Sequence, residues 1–227
     1  MKNHTNFPKL PNLLSSVGQV TLAITTLLLL PGYSLFEKPA EYLEWTNTVL
    51  FMTRALLLTN GWLYIEKTNQ SKKKPGTITL KKRATTLISA SLLTLGGIFL
   101  FHTLAVLFGA PLTEAVQHTW YGAMYMSLLL VFPASSVFQY DTEAWIRVFF
   151  QTGPENYKER FAFYPLVSGV FGAWLGAIVI PLDWDRPWQA WPIPCVLGSL
   201  LGYTIGIFLA LIRQDTSTKK QGKQRTE

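Results

Sequence analysis

Long uncharged runs separate the charges in this chain, and their spacing constrains the fold more than any other feature. An α-helix needs ~20 consecutive apolar residues to cross the hydrocarbon core of a bilayer. Six such runs follow one another, at residues 10–36, 43–65, 84–113, 115–140, 161–182 and 187–212, with Glu44 and Arg54 as the charges inside the second. One run alone fits a soluble core helix, but six in series, in a chain with only 15% charged residues, exclude a soluble domain. The pattern predicts an all-α, polytopic membrane protein.

We therefore expect a single integral membrane domain over residues 1–227. Its six transmembrane helices are predicted at about residues 14–36, 43–65, 86–108, 119–139, 162–180 and 192–212, with a basic loop at 67–83 and a disordered basic tail at 213–227. The first run is interpreted as a retained helix. Its apolar part is long for a signal peptide, and no clear A-x-A cleavage site follows it.

The basic residues predict the orientation of the helices. The N-terminal arm, the loop at 67–83, the loop between helices four and five, and the tail carry 17 of the 20 lysines and arginines. Six spans place all four segments on one side, which the positive-inside rule assigns to the cytosol. Both termini are then cytosolic. The net charge of +7 follows from this bias and needs no nucleic-acid partner.

The segment IPLDWDRPWQAWP, residues 180–192, joins predicted helices five and six on the opposite side. Trp184, Trp188 and Trp191 suit the bilayer interface, so one interpretation is an interfacial anchor with a rigid turn. The alternative is a metal site, because Asp183 and Asp185 have a spacing that divalent cations use. Two carboxylates are too few for a closed site, and the neighbouring Arg186 offers Asp185 an ion-pair partner.

Small residues recur at intervals of four in the last two predicted helices. The two triplets are Ser168, Gly172 and Gly176, followed by Gly198, Gly202 and Gly206. Such stripes let two membrane helices approach closely, backbone to backbone. Because a short loop joins these helices, we expect them to be antiparallel neighbours packed along the two stripes.

Residues suited to catalysis are scarce. The sequence has one cysteine, Cys195, and no H-E-x-x-H, G-x-S-x-G or Gly-rich phosphate motif, so no cofactor is expected. His102, inside helix three, is interpreted as a helix–helix hydrogen-bonding residue. Arg54 lies near the middle of helix two, where a charge is costly. It is predicted to face the bundle interior, where it bonds carbonyls or hydroxyls such as Thr53 and Thr59, or to meet an acidic partner on another subunit or a lipid.

Three segments carry a resemblance to a known family. FHTLAVLFGAPLTE at 101–114, AWIRVF at 144–149 and VFGAWLGAIVIPLDWDRPWQAWPIPCVLGSLLGY at 170–203 closely resemble the PIG-F family of glycosylphosphatidylinositol (GPI) anchor assembly. The resemblance implies a multi-pass protein of the endoplasmic reticulum membrane. It also implies a non-catalytic subunit that stabilises ethanolamine-phosphate transferases of the PIG-O and PIG-G types.

Six residues are candidates for contact with a partner or lipid, from their place inside a predicted membrane helix or in the 180–192 loop. They are Arg54, His102, Trp184, Arg186, Trp188 and Trp191. Two alternatives remain open. One is an intramembrane enzyme that transfers a lipid headgroup itself, with Asp183, Asp185 and His102 as its polar set. The other is a lipid carrier, although such proteins favour inverted repeats and no convincing repeat relates the two halves of this chain.

Overall fold

The computed structural model describes residues 35–69, 78–111, 113, 115–182 and 184–224. For residues 57–69, 78–83 and 214–224 it describes the helical backbone alone. Every regular element in these ranges is helical. The first predicted transmembrane helix, at 14–36, lies almost entirely outside the described residues, and the middle of the basic loop at 67–83 does too.

Long helices form the framework. They are α1 (Pro39–Asn69), α2 (Ile78–Leu107), α3 (Val116–Met126), α4 (Phe132–Phe138), α6 (Tyr157–Ala177) and α7 (Ile193–Gln224). A π-helical turn at Ser127–Val131 joins α3 to α4, so the two form one continuous rod. By length and composition, three stretches are apolar enough to cross a membrane: Ala84–Leu107, Val116–Phe138 and Ile193–Arg213. The all-helical character predicted from the charge-free runs is therefore confirmed for the described residues.

The structure contains helix in places where the sequence predicted loop or tail. Helix α7 continues to Gln224, through most of the segment expected to be a disordered tail. Helices α1 and α2 likewise extend into both ends of the predicted basic loop. The physical reason is that lysine and glutamine are good helix formers, and lengthening an existing helix avoids the cost of nucleation. The end of an apolar run therefore does not mark the end of the helix.

The connection between α4 and α6 is also helical, which the sequence analysis did not anticipate. Helix α5 (Thr142–Ile146) runs into a second π-helical turn at Arg147–Gln151. Asp141 caps α5, since its carboxylate accepts a hydrogen bond from the backbone N–H of Ala144 at 3.0 Å. The segment packs through Trp145 and Phe149 against Phe138, with ring centroids 4.9 and 6.1 Å from that ring.

The main core lies where α1, the α3–α4 rod and α7 meet. Its fully buried members include Leu43 and Leu50 from α1, Leu129 from the rod, and Val196 and Tyr203 from α7. Hydroxyl groups tie the rod to α2, because Ser127 donates to the carbonyl oxygen of Thr94 at 2.7 Å. This bundle positions the polar side chains described below.

Candidate functional site

Helices α6 and α7 pack backbone to backbone along their small residues. A Cβ atom added to Gly172 would overlap the carbonyl oxygen of Gly198, and one added to Gly198 would overlap the carbonyl oxygen of Gly172. The same holds for Gly176 against the carbonyl oxygen of Pro194. No side chain separates the two helices at these positions. The structure thus brings the two predicted stripes into direct contact as an antiparallel hairpin.

The two helices pack equally closely at the other end of the hairpin, near Gly202 and Gly206. A Cβ at Gly202 would overlap the carbonyl oxygen of Ser168, and one at Gly206 would lie 2.5 Å from the Cα of Pro165. Pro165 lies inside α6 and lacks a backbone N–H, which removes one helical hydrogen bond there. Glycine at 206 accommodates the ring and the altered backbone. The backbone contact between the two helices therefore extends from Gly176 and Pro194 to Pro165 and Gly206.

Arg54 lies inside the bundle, with 3% of its surface exposed. Its guanidinium group donates to the hydroxyl of Tyr203 at 3.3 Å and to the carbonyl oxygen of Leu129 at 3.4 Å. The guanidinium carbon also lies 5.4 Å from the centroid of the Tyr203 ring, within range of a cation–π interaction. Arg54 thereby connects α1 to the rod and to α7. The Thr53 hydroxyl bonds its own helix instead, through the carbonyls of Val49 and Leu50.

Proline explains why Arg54 binds the carbonyl of Leu129. In an α-helix that carbonyl accepts from the N–H four residues later, which here belongs to Pro133 and does not exist. The π-helical turn forms at the same place, where the N–H of Phe132 reaches back to the carbonyl oxygen of Ser127. In a membrane, a freed backbone carbonyl must find an internal donor. Arg54 supplies one.

Asn47 makes a second contact of the same kind and was not singled out in the sequence analysis. It lies two turns before Arg54 on α1 and is fully buried. Its side-chain amide donates to the carbonyl oxygen of Tyr121 at 3.0 Å. Residues 47 and 54 are seven apart, which places them on one helical face. That spacing, together with the polarity of Asn47 inside an apolar run, is the signal that would have found it.

Two side chains hold the 180–192 loop against the bundle. The amide of Gln189 donates to the carbonyl oxygens of Val179 and Ile180, at 2.6 and 3.3 Å, and so ties the end of the loop to the chain just beyond α6. The indole N–H of Trp191 donates to the hydroxyl of Thr119 at 3.0 Å. Trp191 thus faces α3 rather than the surroundings. Gln189 was not singled out from the sequence.

Residues 181, 182, 184–188 and 190 of the loop are exposed. Trp184 and Trp188 are 55% and 37% exposed and contact each other edge to face, with centroids 5.9 Å apart. Asp185 and Arg186 are also exposed, and no ion pair joins them among the described residues. Asp183 lies outside the described residues. Within the described ranges, no three His, Cys, Asp or Glu side chains form a group that could hold a metal ion.

His102 lies on α2 beside the aromatic ring of Trp120, with centroids 5.7 Å apart. Its Nδ1 atom is buried and has no hydrogen-bond partner in the described part of the chain. The aromatic contact joins α2 to α3. The predicted hydrogen bond to another helix is not among the contacts of the described residues.

A charged joint connects the π-helical turn after α5 to the start of α6. Arg147 donates to Glu159 at 2.6 Å, and Glu159 also accepts from the backbone N–H groups of Glu155 and Asn156 at 2.9 and 3.3 Å. Burial opposes the charged form of Glu159, but these hydrogen bonds outweigh it and lower the pKa of the carboxyl group below its ordinary value. The bond to Glu159 raises the pKa of Arg147. The sequence analysis used Arg147 only as one of the basic residues.

The sequence is similar to those of known proteins. The chain matches the family model described as GPI biosynthesis protein family Pig-F over residues 18–211. It is 36% identical over 146 residues to the Homo sapiens protein named GPI ethanolamine phosphate transferase, stabilizing subunit, a match that covers 64% of this chain and 65% of that protein. It is 35% identical over 180 residues to Glycosylphosphatidylinositol anchor biosynthesis protein 11 of Yarrowia lipolytica, which covers 78% and 77% of the two chains. No solved structure matches the chain.

The family match includes the parts of the structure described above. It extends across α1, the rod, the α6–α7 hairpin and the loop at 180–192. The match to the human relative spans slightly less than two thirds of that protein's length, whereas the match to the Yarrowia relative spans more than three quarters. Since the family model matches most of the chain, the chain belongs to the Pig-F family of GPI biosynthesis proteins.

Proposed function

We propose that this chain is a non-catalytic subunit that stabilises ethanolamine-phosphate transferases of GPI-anchor biosynthesis. The observation that carries the proposal is the similarity to the human protein named as the stabilizing subunit of such a transferase. The partners would be transferases of the PIG-O and PIG-G types. The chain would supply membrane helices, and the partner would supply the chemistry.

The geometry supports a structural role. The polar groups inside the bundle hold helices together: Arg54 and Asn47 bond carbonyls of the α3–α4 rod, and Gln189 bonds the carbonyls beyond the end of α6. A transferase site instead needs a nucleophile and an activating group that converge on open space. The hairpin and the rod form a rigid surface on which a partner's helices can pack.

The proposed topology has six membrane helices, both termini in the cytosol and a location in the endoplasmic reticulum membrane. Three stretches that are long and apolar enough to span the hydrocarbon core, Ala84–Leu107, Val116–Phe138 and Ile193–Arg213, support a multi-pass arrangement. The charged joint at Glu159 lies at one end of α6, and the exposed tryptophans follow its other end. This arrangement fits a helix with a charged cytosolic end and an aromatic lumenal end.

The decisive experiment removes the chain from cells and measures the abundance of each transferase. We expect transferase protein to fall while its transcript stays constant, and re-expression of the chain to restore the protein. The purified chain alone, supplied with an ethanolamine-phosphate donor and a mannosylated GPI intermediate as acceptor, is expected to transfer no ethanolamine phosphate. Constant transferase abundance after removal of the chain, or transfer by the purified chain, would refute the proposal.

A pair of glycine variants provides a matched control. Gly202→Leu disrupts the α6–α7 contact, whereas a Cβ at Gly96 on α2 meets nothing within 4 Å. Gly96→Leu therefore adds the same side chain without disturbing the bundle. Only the Gly202 variant is expected to fail in restoring transferase abundance.

A further inference from the structure

A cleft of about 620 Å³ lies beside the charged joint of Arg147 and Glu159. The stabilising role proposed above does not involve this cleft. It is formed where α4 ends, where α5 crosses, and where α6 begins. Its apolar lining comes from Val137, Phe138 and Ala144, and its polar lining includes Asp141 and Lys158. A cavity of this size accommodates a small molecule or a lipid headgroup.

The cleft offers charged groups of both signs to a ligand. Arg147 also lines it: its guanidinium donates to Glu159 at 2.6 Å and lies 3.7 Å from Glu155, and its buried Nη1 atom makes no hydrogen bond within the described residues. Lys158 is exposed and forms no ion pair within the described ranges, so its ammonium is available to an anion. The exposed carboxylate of Asp141 uses one oxygen to cap α5, which leaves its other oxygen available to a cation.

The surroundings of the cleft suit a membrane surface. Tyr140, Ile146 and Phe150 are 57%, 45% and 85% exposed and follow one another along the segment that borders it. Large apolar side chains exposed next to a charged cleft are typical of a short helix lying in the lipid interface. A headgroup in the cleft would have its acyl chains beside these residues and along α4.

We propose that this cleft binds the headgroup of a zwitterionic glycerophospholipid, with the phosphate at Lys158 and the ammonium group at Asp141. One positive and one negative side chain match a ligand that carries both charges. A primary ammonium donates charge-assisted hydrogen bonds to a carboxylate, which a quaternary ammonium cannot do. The cleft therefore prefers phosphatidylethanolamine to phosphatidylcholine. This inference does not depend on which protein the chain stabilises.

The test is lipid retention by the full-length protein. The chain is purified in mild detergent, equilibrated with equal amounts of phosphatidylethanolamine, phosphatidylcholine and phosphatidylglycerol, and examined by native mass spectrometry. We expect phosphatidylethanolamine to be retained preferentially. Asp141→Asn keeps the helix cap, since asparagine caps as well as aspartate, and removes only the charge. In this variant and in Lys158→Gln we expect retention to fall about tenfold, the effect of losing one charged hydrogen bond.

Two control variants remove the same charges elsewhere. Asp185→Asn and Lys38→Gln change exposed residues outside the cleft and are expected to retain lipid like the wild type. Thermal midpoints of all four variants establish that they are folded. Equal retention of the three lipids by the wild type would overturn the proposal. Unchanged retention in both folded cleft variants would overturn it as well, and preferential retention of phosphatidylglycerol would point to a site for anionic lipid instead.

Discussion

The α6–α7 contact allows a substitution whose effect follows directly from the geometry. In Gly202→Leu, the new Cβ would overlap the carbonyl oxygen of Ser168 and lie 2.8 Å from its carbonyl carbon and 3.0 Å from the Cα of Gly169. These are backbone atoms, which cannot rotate aside as a side chain would. The two helices must therefore separate, and the leucine side chain beyond Cβ increases the separation.

The magnitude follows from the cost of overpacking. Extra methylene groups in a packed core cost roughly 1–3 kcal/mol. Gly202 belongs at the upper end because separation at this point also opens the contacts of Gly172 and Gly198 on the same seam. We expect a loss of about 3 kcal/mol, which changes the ratio of folded to unfolded protein by roughly 100-fold. For a chain of this size, such a loss lowers the thermal midpoint by about 10 °C.

The assay compares Gly202→Leu with Gly96→Leu in purified protein and in membranes. Thermal unfolding in mild detergent gives the stability difference, and quantitative immunoblotting gives the steady-state abundance and the recovery of transferase. The Gly96 variant is expected to resemble the wild type because a Cβ there contacts nothing within 4 Å. If Gly202→Leu kept the wild-type midpoint and abundance, the closely packed hairpin would be wrong.

Three further predictions concern other parts of the chain. Arg54→Leu removes the side chain that donates to the carbonyl of Leu129, so we expect the free energy of unfolding to fall by about 1–3 kcal/mol. We also expect less transferase to be recovered with the variant. Wild-type stability and wild-type recovery of the transferase would contradict this role of Arg54. Folding lowers the pKa of the Glu159 carboxyl group, so its ionised form stabilises the folded chain. This stabilisation is complete above the ordinary pKa of 4.5 and is lost as the pH falls through the lowered pKa. Glu159→Gln should remove that part of the acid sensitivity measured by thermal unfolding, whereas the exposed Glu143→Gln should not. The N-glycosylation sequons at Asn3 and Asn69 face the cytosol in the proposed topology, so we expect neither to carry a glycan. A shift in gel mobility on glycosidase treatment would show that the proposed orientation is wrong.

The hairpin shows what the sequence alone can predict about this fold. Two small-residue triplets at intervals of four, joined by a short loop, predict an antiparallel contact without any knowledge of the other helices. Close approach needs only that Gly172 and Gly198 lack side chains, and this is a local property of each helix. The charge-free runs are similarly local, and they predict helices because a bilayer allows few other structures.

The polar joints of the bundle depend on long-range geometry and could not be predicted in the same way. Gln189 reaches carbonyls ten and nine residues earlier because the chain turns back beyond the end of α6. Arg147 meets Glu159 because the loop between predicted helices four and five is itself helical and crosses the start of α6. Neither residue belongs to a motif, and each partner is determined by the path of the backbone.

Arg54 shows how a local signal can identify a residue and still leave its partner undetermined. The sequence indicates an intramembrane cation, and the absence of carboxylates from the middle of the six runs suggests an acidic partner elsewhere. A backbone carbonyl that lacks its usual helical donor is another acceptor, and Pro133 removes the N–H that would serve the carbonyl of Leu129 in an α-helix. The sequence shows an arginine in one predicted membrane helix and a proline in another. Only the packing of α1 against the rod brings Arg54 close to the carbonyl oxygen of Leu129. The buried position of Arg54 is therefore explained by two acceptors within the chain, the hydroxyl of Tyr203 and the carbonyl oxygen of Leu129.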